Sequence, residues 1–516
     1  MKLAFLAGLA SATLLTLVSA QAGHVPGSVP DNKYEPLQHR LAYAGPTGMT
    51  VSWNTFAKLE KPSVRYGTDP KGLTSIAYGS STTYPTSRTY NNHVRLSGLH
   101  PNTKYYYLVA NSVESAYSFT TPREAGDHTP FSTAVVVDLG TMGAMGLSTH
   151  VGNGADNPLG PNDTNTIQSL IQHQSEFDLI LHAGDIAYAD YWLKEEIQGY
   201  LPNTTIQDGA KVYETILESF FDELQPVTAF KPYMVGPGNH EANCDNGGTT
   251  DHRYNVSYDV SICLPGQTNF TGYINHWRMP GNESGGRDNF WYSFDHGMVH
   301  YIQLSTETDL GNGLLGPDEP NGPEAENGGP FGRYPNEQVD WLKKDLESVD
   351  RQKTPWVVVA GHRPWYVSAS NDSSTICLGC QQAFEPLFHQ FSVDLVLSGH
   401  VHAYERIAPI FNYVIDPAGL DNPSSAWYIT NGAAGHYDGL DPLDSPRQPY
   451  SVFSTDAAYG WSRLIFHNTT HMTHEFVASR NGSVLDRATL HKAHDFGCEI
   501  QGRGYGGWGK AKRWWC

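Results

Sequence analysis

The chain has 516 residues, 39% of them apolar, with 33 basic against 53 acidic side chains and a formal charge of −20. That length exceeds what one core usually fills, so two domains are expected, and the apolar content suffices for both. An acidic balance without a basic stripe excludes nucleic acid as a partner, and no apolar run beyond the amino terminus is long enough to span a bilayer.

Residues 1–22 carry one lysine, an uncharged apolar run and small residues at Val18, Ala20 and Ala22, the pattern of a secretory signal cleaved near Ala20 or Ala22. A retained anchor would call for a polar stop-transfer flank, and none follows. The expectation is a secreted, extracellular protein with no membrane association after cleavage. Eight Asn-x-Ser/Thr sequons, at Asn162, Asn203, Asn255, Asn269, Asn282, Asn371, Asn468 and Asn481, suit N-linked glycans in that compartment. So does an even set of cysteines, Cys244, Cys263, Cys377, Cys380, Cys498 and Cys516. Spacing leaves their pairing open; 244 with 263, 377 with 380 and 498 with 516 close the shortest loops. A zinc site is the weaker reading, because no second Cys-x-x-Cys answers the one at Cys377 and Cys380.

From about residue 34 to 121 short β-rich runs alternate with turn residues: 49–53 (MTVSW), 63–66 (SVRY), 105–109 (YYYLV) and 116–120 (AYSFT). Without helical periodicity, that spacing predicts an antiparallel sandwich. Residues 121–130 form a polar, proline-containing linker. Beyond it, buried-type strands at 134–137, 179–181, 233–235, 356–359 and 395–397 are separated by longer polar stretches. Helical patterns lie at 164–175, 211–225, 336–349 and 381–391. Such alternation predicts a layered α/β domain. The tail after 495 contains GRGYGG (502–507), with no following helix, and the short basic run GKAKRW (509–514), read as a solvated end tethered by Cys516.

What stands after each of those five strands is chemical. They lead in turn to Asp138 with Gly140; Gly184-Asp185 with Tyr188; Gly238-Asn239-His240-Glu241; Gly361-His362; and Gly399-His400-Val-His402. Ligand sites of α/β sheets lie at the carboxyl ends of strands, so these residues are expected on one rim. Taken singly, an aspartate there is a helix cap or turn former and a histidine a hydrogen-bonded structural residue. Five such coincidences on one rim favour a metal site instead. Asp138, Asp185 and Tyr188 are hard anionic oxygen donors suited to a trivalent ion such as Fe(III), and Asn239, His362 and His400 are neutral donors suited to Zn, Mn or Fe as divalent ions. A shared carboxylate would hold two ions roughly 3.5–4 Å apart. Charges of +3 and +2, less two carboxylates, a phenolate and a bound hydroxide, leave about +1, which attracts a phosphate dianion without trapping the product.

These five blocks resemble, in order, those of the purple acid phosphatases, a branch of the binuclear metallophosphoesterases, and the likeness spans nearly the whole mature chain, most of all to secreted fungal members. The resemblance implies an N-terminal fibronectin III-like β-sandwich at 23–125, a layered α/β metallophosphoesterase domain at 126–495 and a tail at 496–516. It implies Fe(III) on Asp138, Tyr188 and His402, a bridging Asp185, and a divalent ion on Asn239, His362 and His400. His240 would face the substrate phosphate or leaving group as catalytic residue, ahead of Tyr366, Asp190 and His436. The implied reaction is hydrolysis of phosphate monoesters at an Fe(III)–M(II) centre by a metal-bound hydroxide. Two departures stand out. Val137 precedes Asp138 where the family has glycine, and Asn371 and Asp372 fill positions where plant members carry two histidines. A phytase or phosphodiesterase specialist on the same metals is the runner-up, and a catalytically dead secreted binding protein the reading from another class. Oligomeric state is left open. No Arg-His-Gly run, Gly-x-Ser-x-Gly elbow or Gly-Lys-Ser/Thr phosphate loop points elsewhere.

Overall fold

Eight short strands open the fold: β1 Leu37–Tyr43, β2 Met49–Thr55, β3 Ser63–Gly67, β4 Ser75–Tyr78, β5 Ser80–Thr82, β6 Tyr90–Leu96, β7 Lys104–Val109 and β8 Tyr117–Thr120. They form two antiparallel sheets, ordered β1-β2-β6-β5 and β4-β3-β7-β8, around Val51, Trp53, Val64, Val94, Tyr107 and Phe119. The computed structural model describes residues 24–113, 115–142, 159–160, 163–197, 201, 205–242, 250–251, 256–257, 264, 266–307, 337–368, 376–435 and 439–494. The expected signal and tail, His436, Asn162, Asn203, Asn255, Asn371 and Cys244, Cys263, Cys498 and Cys516 lie outside the described residues.

β1 is buried along its whole length because the rest of the chain packs on it. Leu41 bridges to Pro232, and the Thr228 hydroxyl donates to the His39 carbonyl at 2.8 Å. Arg40 lies over the rings of Phe221 and Trp277 at 4.3 and 5.5 Å and donates to Asn54 Oδ1 and the His276 carbonyl, each at 3.0 Å. A buried guanidinium lying over two rings and donating to an amide oxygen and a backbone carbonyl ties the sandwich to its neighbour more specifically than apolar contact alone.

The second unit contains β9 Phe131–Val136, β10 Leu179–Ala183, β11 Tyr233–Gly236, the two-residue pair β12 Thr250–Asp251 and β13 Val256–Ser257, β14 Tyr292–His296, β15 Val299–Gln303, β16 Trp356–Ala360, β17 Leu395–Ser398 and β18 Tyr404–Ile407. It continues with the hairpin β19 Ile410–Phe411 and β20 Val414–Ile415, then β21 Trp427–Asn431, β22 Ser451–Thr455, β23 Gly460–Phe466, β24 His471–Ala478 and β25 Val484–His491. Two mixed sheets result, ordered β11-β10-β9-β23-β24-β25 and β14-β15-β16-β17-β21-β18-β22. They pack face to face: the Thr133 and Tyr301 hydroxyls meet at 2.7 Å, and Tyr404 stacks on Phe476 with ring centroids 4.2 Å apart. Helix Thr166–Gln172 covers the first sheet, where Trp461 Nε1 donates to Ser169 at 3.0 Å, while helices Glu337–Ser348 and Leu378–Gln390 cover the second.

The layered α/β expectation holds, but the single rim does not. The five predicted strands are divided, β9 to β11 in one sheet and β16 and β17 in the other, and the rims of both sheets supply the site. The helix expected at 211–225 runs Gly209–Thr228, through Pro226. In the last turn a proline forfeits only one backbone bond, and the Ala229 amide, donating to the Gln225 carbonyl at 3.1 Å, closes the end. Cys377 caps helix Leu378–Gln390, its sulfur accepting from the Cys380 amide at 3.1 Å, and the two cysteines form a disulfide, one of the short-loop pairings.

Candidate metal centre

Each candidate ligand leaves its strand through a sharp turn. Asp138, Asp185, Tyr188 and His400 have φ of 58°, 52°, 52° and 67°, left-handed values that cost a side-chain-bearing residue energy and persist only where the surroundings impose them. At His400 that turn lets two imidazoles spaced by one residue face different centres. Glycines supply the room. A Cβ on Gly238 would overlap Asp185 Oδ1, and one on Gly399 would overlap Asp138 Oδ2 and Val137. Val137, where the family has glycine, is buried against Gly399, so the departure leaves the ligand in place.

The side chains converge as two overlapping groups. In one, Tyr188 Oη lies 3.0 Å from Asp138 Oδ1, 3.1 Å from Asp185 Oδ2 and 3.0 Å from His402 Nε2. In the other, His362 Nε2 lies 2.9 Å from Asn239 Oδ1 and 3.1 Å from the same Asp185 Oδ2, and donor atoms of Asp185, His362 and His400 fall within 4.8 Å of one another. Asp185 Oδ2 therefore stands between both groups. All seven predicted ligands are brought together.

Burial opposes charge here, and the neighbours decide each outcome. Burial would push the Asp185 carboxyl up, but His362 and His240 beside it hold it well below the usual range. Burial would push His362 down, yet Asp185 carries it up to about 9. Burial, then the adjacent Asp138 and Asp185 carboxylates, raises the Tyr188 phenol. A cluster of buried acceptor groups that compensate one another only in part is one that cations complete, and carboxylate and phenol oxygens with one imidazole on one side, against two imidazoles and an amide on the other, fit two ions of different hardness.

His240 packs tilted against Tyr188 with centroids 4.4 Å apart, its Nδ1 lies 2.6 Å from Asp190 Oδ2, and its Nε2 lies 3.9 Å from Asp185 Oδ2. Asp190, a secondary candidate, thus reaches the site through His240. Tyr366 is buried with its hydroxyl donating to Glu385.

Four supporting residues had no role assigned from sequence. Glu241 accepts from the amides of Asp185, Ile186 and Gly238 at 2.9, 2.8 and 2.8 Å, clasping two ligand loops. Its position beside Asn239-His240 was the available signal. Asp441 accepts from the His402 amide at 2.8 Å. Arg363, adjacent to His362, pairs with buried Glu307 at 2.9 Å and approaches His400 Nε2 at 3.1 Å. Asp441 and Glu307 carried no sequence signal.

Two facing sheets whose rims share such a donor set define a metallophosphoesterase, and residues 138–404 match the family described as calcineurin-like phosphoesterase. Residues 36–121 match the purple acid phosphatase N-terminal domain and 425–487 the iron/zinc purple acid phosphatase-like C-terminal region. The chain is similar to acid phosphatase A of Cryphonectria parasitica, 39% identical over 507 residues that cover 93% of this chain and 96% of that one. It is also similar to purple acid phosphatase 21 of Arabidopsis thaliana, 30% identical over 89% of this chain and 85% of that one. Its fold resembles purple acid phosphatase PPD1 from yellow lupin seeds, with a TM-score of 0.65 at 22% identity over 89% of this chain and 75% of that one. The chain belongs to the purple acid phosphatase family and is a metal-dependent acid phosphatase.

Proposed function

We propose that this protein is a secreted phosphatase that hydrolyses phosphate monoesters at a binuclear centre. Asp138, Tyr188 and His402 hold Fe(III), Asn239, His362 and His400 hold a divalent Zn, Mn or Fe ion, and Asp185 bridges. The observation that carries this is Asp185 Oδ2, 3.1 Å from both Tyr188 Oη and His362 Nε2. When bound, the ion pair supplies Lewis acidity toward the phosphoryl group and an activated water at acid pH.

The chain's own residues supply orientation and proton handling. Asp190 accepts from His240 Nδ1, which fixes the ring and leaves Nε2 to give a proton to the departing alcohol. Glu241 holds the loops of Asp185 and Asn239 in register. The domain reading belongs to the same proposal: a sandwich at 23–125 and the catalytic domain at 126–495, after removal of 1–22. Glycosylation is supported by the exposure of Asn269, Asn282, Asn468 and Asn481; among the described residues no helix is long and apolar enough to cross a membrane.

Elemental analysis with absorption spectroscopy tests the centre. One iron and one divalent ion per chain are expected, with a violet colour from the phenolate that Tyr188→Phe abolishes. A colourless protein without iron refutes the ligand assignment. Hydrolysis is expected to peak at acid pH, and a panel of p-nitrophenyl phosphate, phytate and diesters tests the substrate class: a steep preference for either of the last two favours the specialist reading.

A further inference from the structure

Three imidazoles lie in a row across the last three strands of the first sheet, apart from the candidate centre. His467 follows β23, His471 opens β24 and His491 closes β25. His471 and His491 are direct partners in the antiparallel ladder, so their side chains leave the same face, with ring centroids 4.8 Å apart and planes tilted by 30°. Both rings are at least partly exposed.

Hydrogen bonding assigns their tautomers. The Thr470 hydroxyl donates to Asn468 Oδ1 at 3.0 Å, because an amide oxygen only accepts. The same hydroxyl lies 2.9 Å from His471 Nδ1 and has only a lone pair left to offer, so that nitrogen carries the proton. His491 Nδ1 lies 2.7 Å from Asp421 Oδ1, and an ionised carboxylate is an acceptor, so this nitrogen is protonated as well. In its neutral form each ring then presents the lone pair of Nε2. A carboxylate or hydroxyl on Nδ1 with a bare Nε2 is the arrangement that orients metal-binding histidines. His467 is placed differently, its Nε2 lying 2.8 Å from Thr473 Oγ1.

We infer that His471 and His491 form a surface chelate for one divalent transition ion of borderline softness, the class of Cu(II), Ni(II) and Zn(II), with Asp421 and Thr470 as positioning residues. Two neutral imidazoles from adjacent strands supply two nitrogen ligands and water completes the shell, a donor set that favours Cu(II) within the divalent series. The site shares no residue with the candidate binuclear centre. Asn468, a sequon residue, contributes only its carbonyl oxygen, so its amide nitrogen stays available to a glycan.

The test uses the full-length, metal-loaded enzyme and Cu(II) alone, titrated near neutral pH and followed by electron paramagnetic resonance and calorimetry. One equivalent should bind with a two-nitrogen signature. His471→Gln and His491→Gln should each weaken it at least tenfold, and the double variant should weaken it by less than the product of the two single losses, while turnover of a phosphate monoester is unchanged in all three. Asp421→Asn should weaken binding by a smaller factor. Unchanged affinity in either single variant, or losses that add as for two independent histidines, overturns the chelate.

Discussion

An acid phosphatase is here built on a fold that acid should weaken. His39, His93, His182 and His474 are buried, and burial pushes them down to about 4, 3, 3 and 3. In the unfolded chain an imidazole titrates near 6.5. As pH falls through that value the unfolded state takes up a proton that the folded state refuses until about pH 3, so the stabilising contribution is full above 6.5 and is lost progressively below it. For one such histidine the loss between pH 7 and pH 5 is about 2 kcal/mol. His474 is the cleanest probe: it lies between the two sheets, its Nε2 is 2.9 Å from Ser462 Oγ, and it takes no part in the candidate centre. His474→Gln keeps a polar group beside Ser462 and removes the titration. Urea unfolding at pH 7 and pH 5 should give a stability difference smaller by about 2 kcal/mol in the variant than in the parent. Equal differences would show that His474 is not held neutral, and the reasoning would fail for the other three as well. His300, pinned between Asp295 and Asp345 at 2.7 and 3.0 Å, acts oppositely: burial would lower it, but both carboxylates carry it up to about 9, so its contribution is greatest below 6.5 and disappears as pH rises through 9.

Three further perturbations address the site itself. Glu241→Ala strands three buried amides and should cost on the order of 3–5 kcal/mol of stability in urea unfolding, with reduced metal content after dialysis. Gly238→Ala places a methyl group where Asp185 Oδ1 sits and should abolish binding of the ion pair, measured by elemental analysis, while the circular dichroism of the fold is retained. His240→Ala should lower turnover by roughly 10²–10⁴ with metal content intact, and Asp190→Asn should lower it less, since only the orientation of the ring is disturbed; full activity in His240→Ala removes it from the reaction.

The candidate residues that converge were legible because strand ends followed by glycine and a metal-capable residue leave a repeated local signature. Their division between two sheets was not, because apolar runs such as 134–137 and 356–359 look alike whichever partner they pair with. β23 to β25 went unread for a related reason. His471–Ala478 is buried from Met472 onward yet carries Thr473, His474 and Glu475 inside, so its pattern shows neither clean alternation nor an apolar run. Arg40 is the same problem inverted: a charged residue in a sandwich strand reads as outward-facing, and only the rings of Phe221 and Trp277, far along the chain, make it a core residue. Asp441 and Glu307 act through a backbone amide and an arginine, relations that adjacency in sequence does not record.

Those supporting contacts explain how Asp185 and His400, two of the four side-chain-bearing residues with positive φ, stay in left-handed turns. Each such residue costs on the order of 1–2 kcal/mol, and an ion arriving late in folding would have to supply that energy if the chain did not. The chain does supply it. Glu241 binds the amides of Asp185 and Ile186 at the second turn, Asp138 Oδ2 accepts from the His400 amide at 2.8 Å at the last, and Asp441 fixes the residue two beyond. Asp138 thus serves twice, one oxygen toward Tyr188 and the other joining the rim of the first sheet to that of the second. The separation of the two ligand groups is set by that inter-sheet bond and by the packing beneath it, so the frame determines the geometry that ions meet.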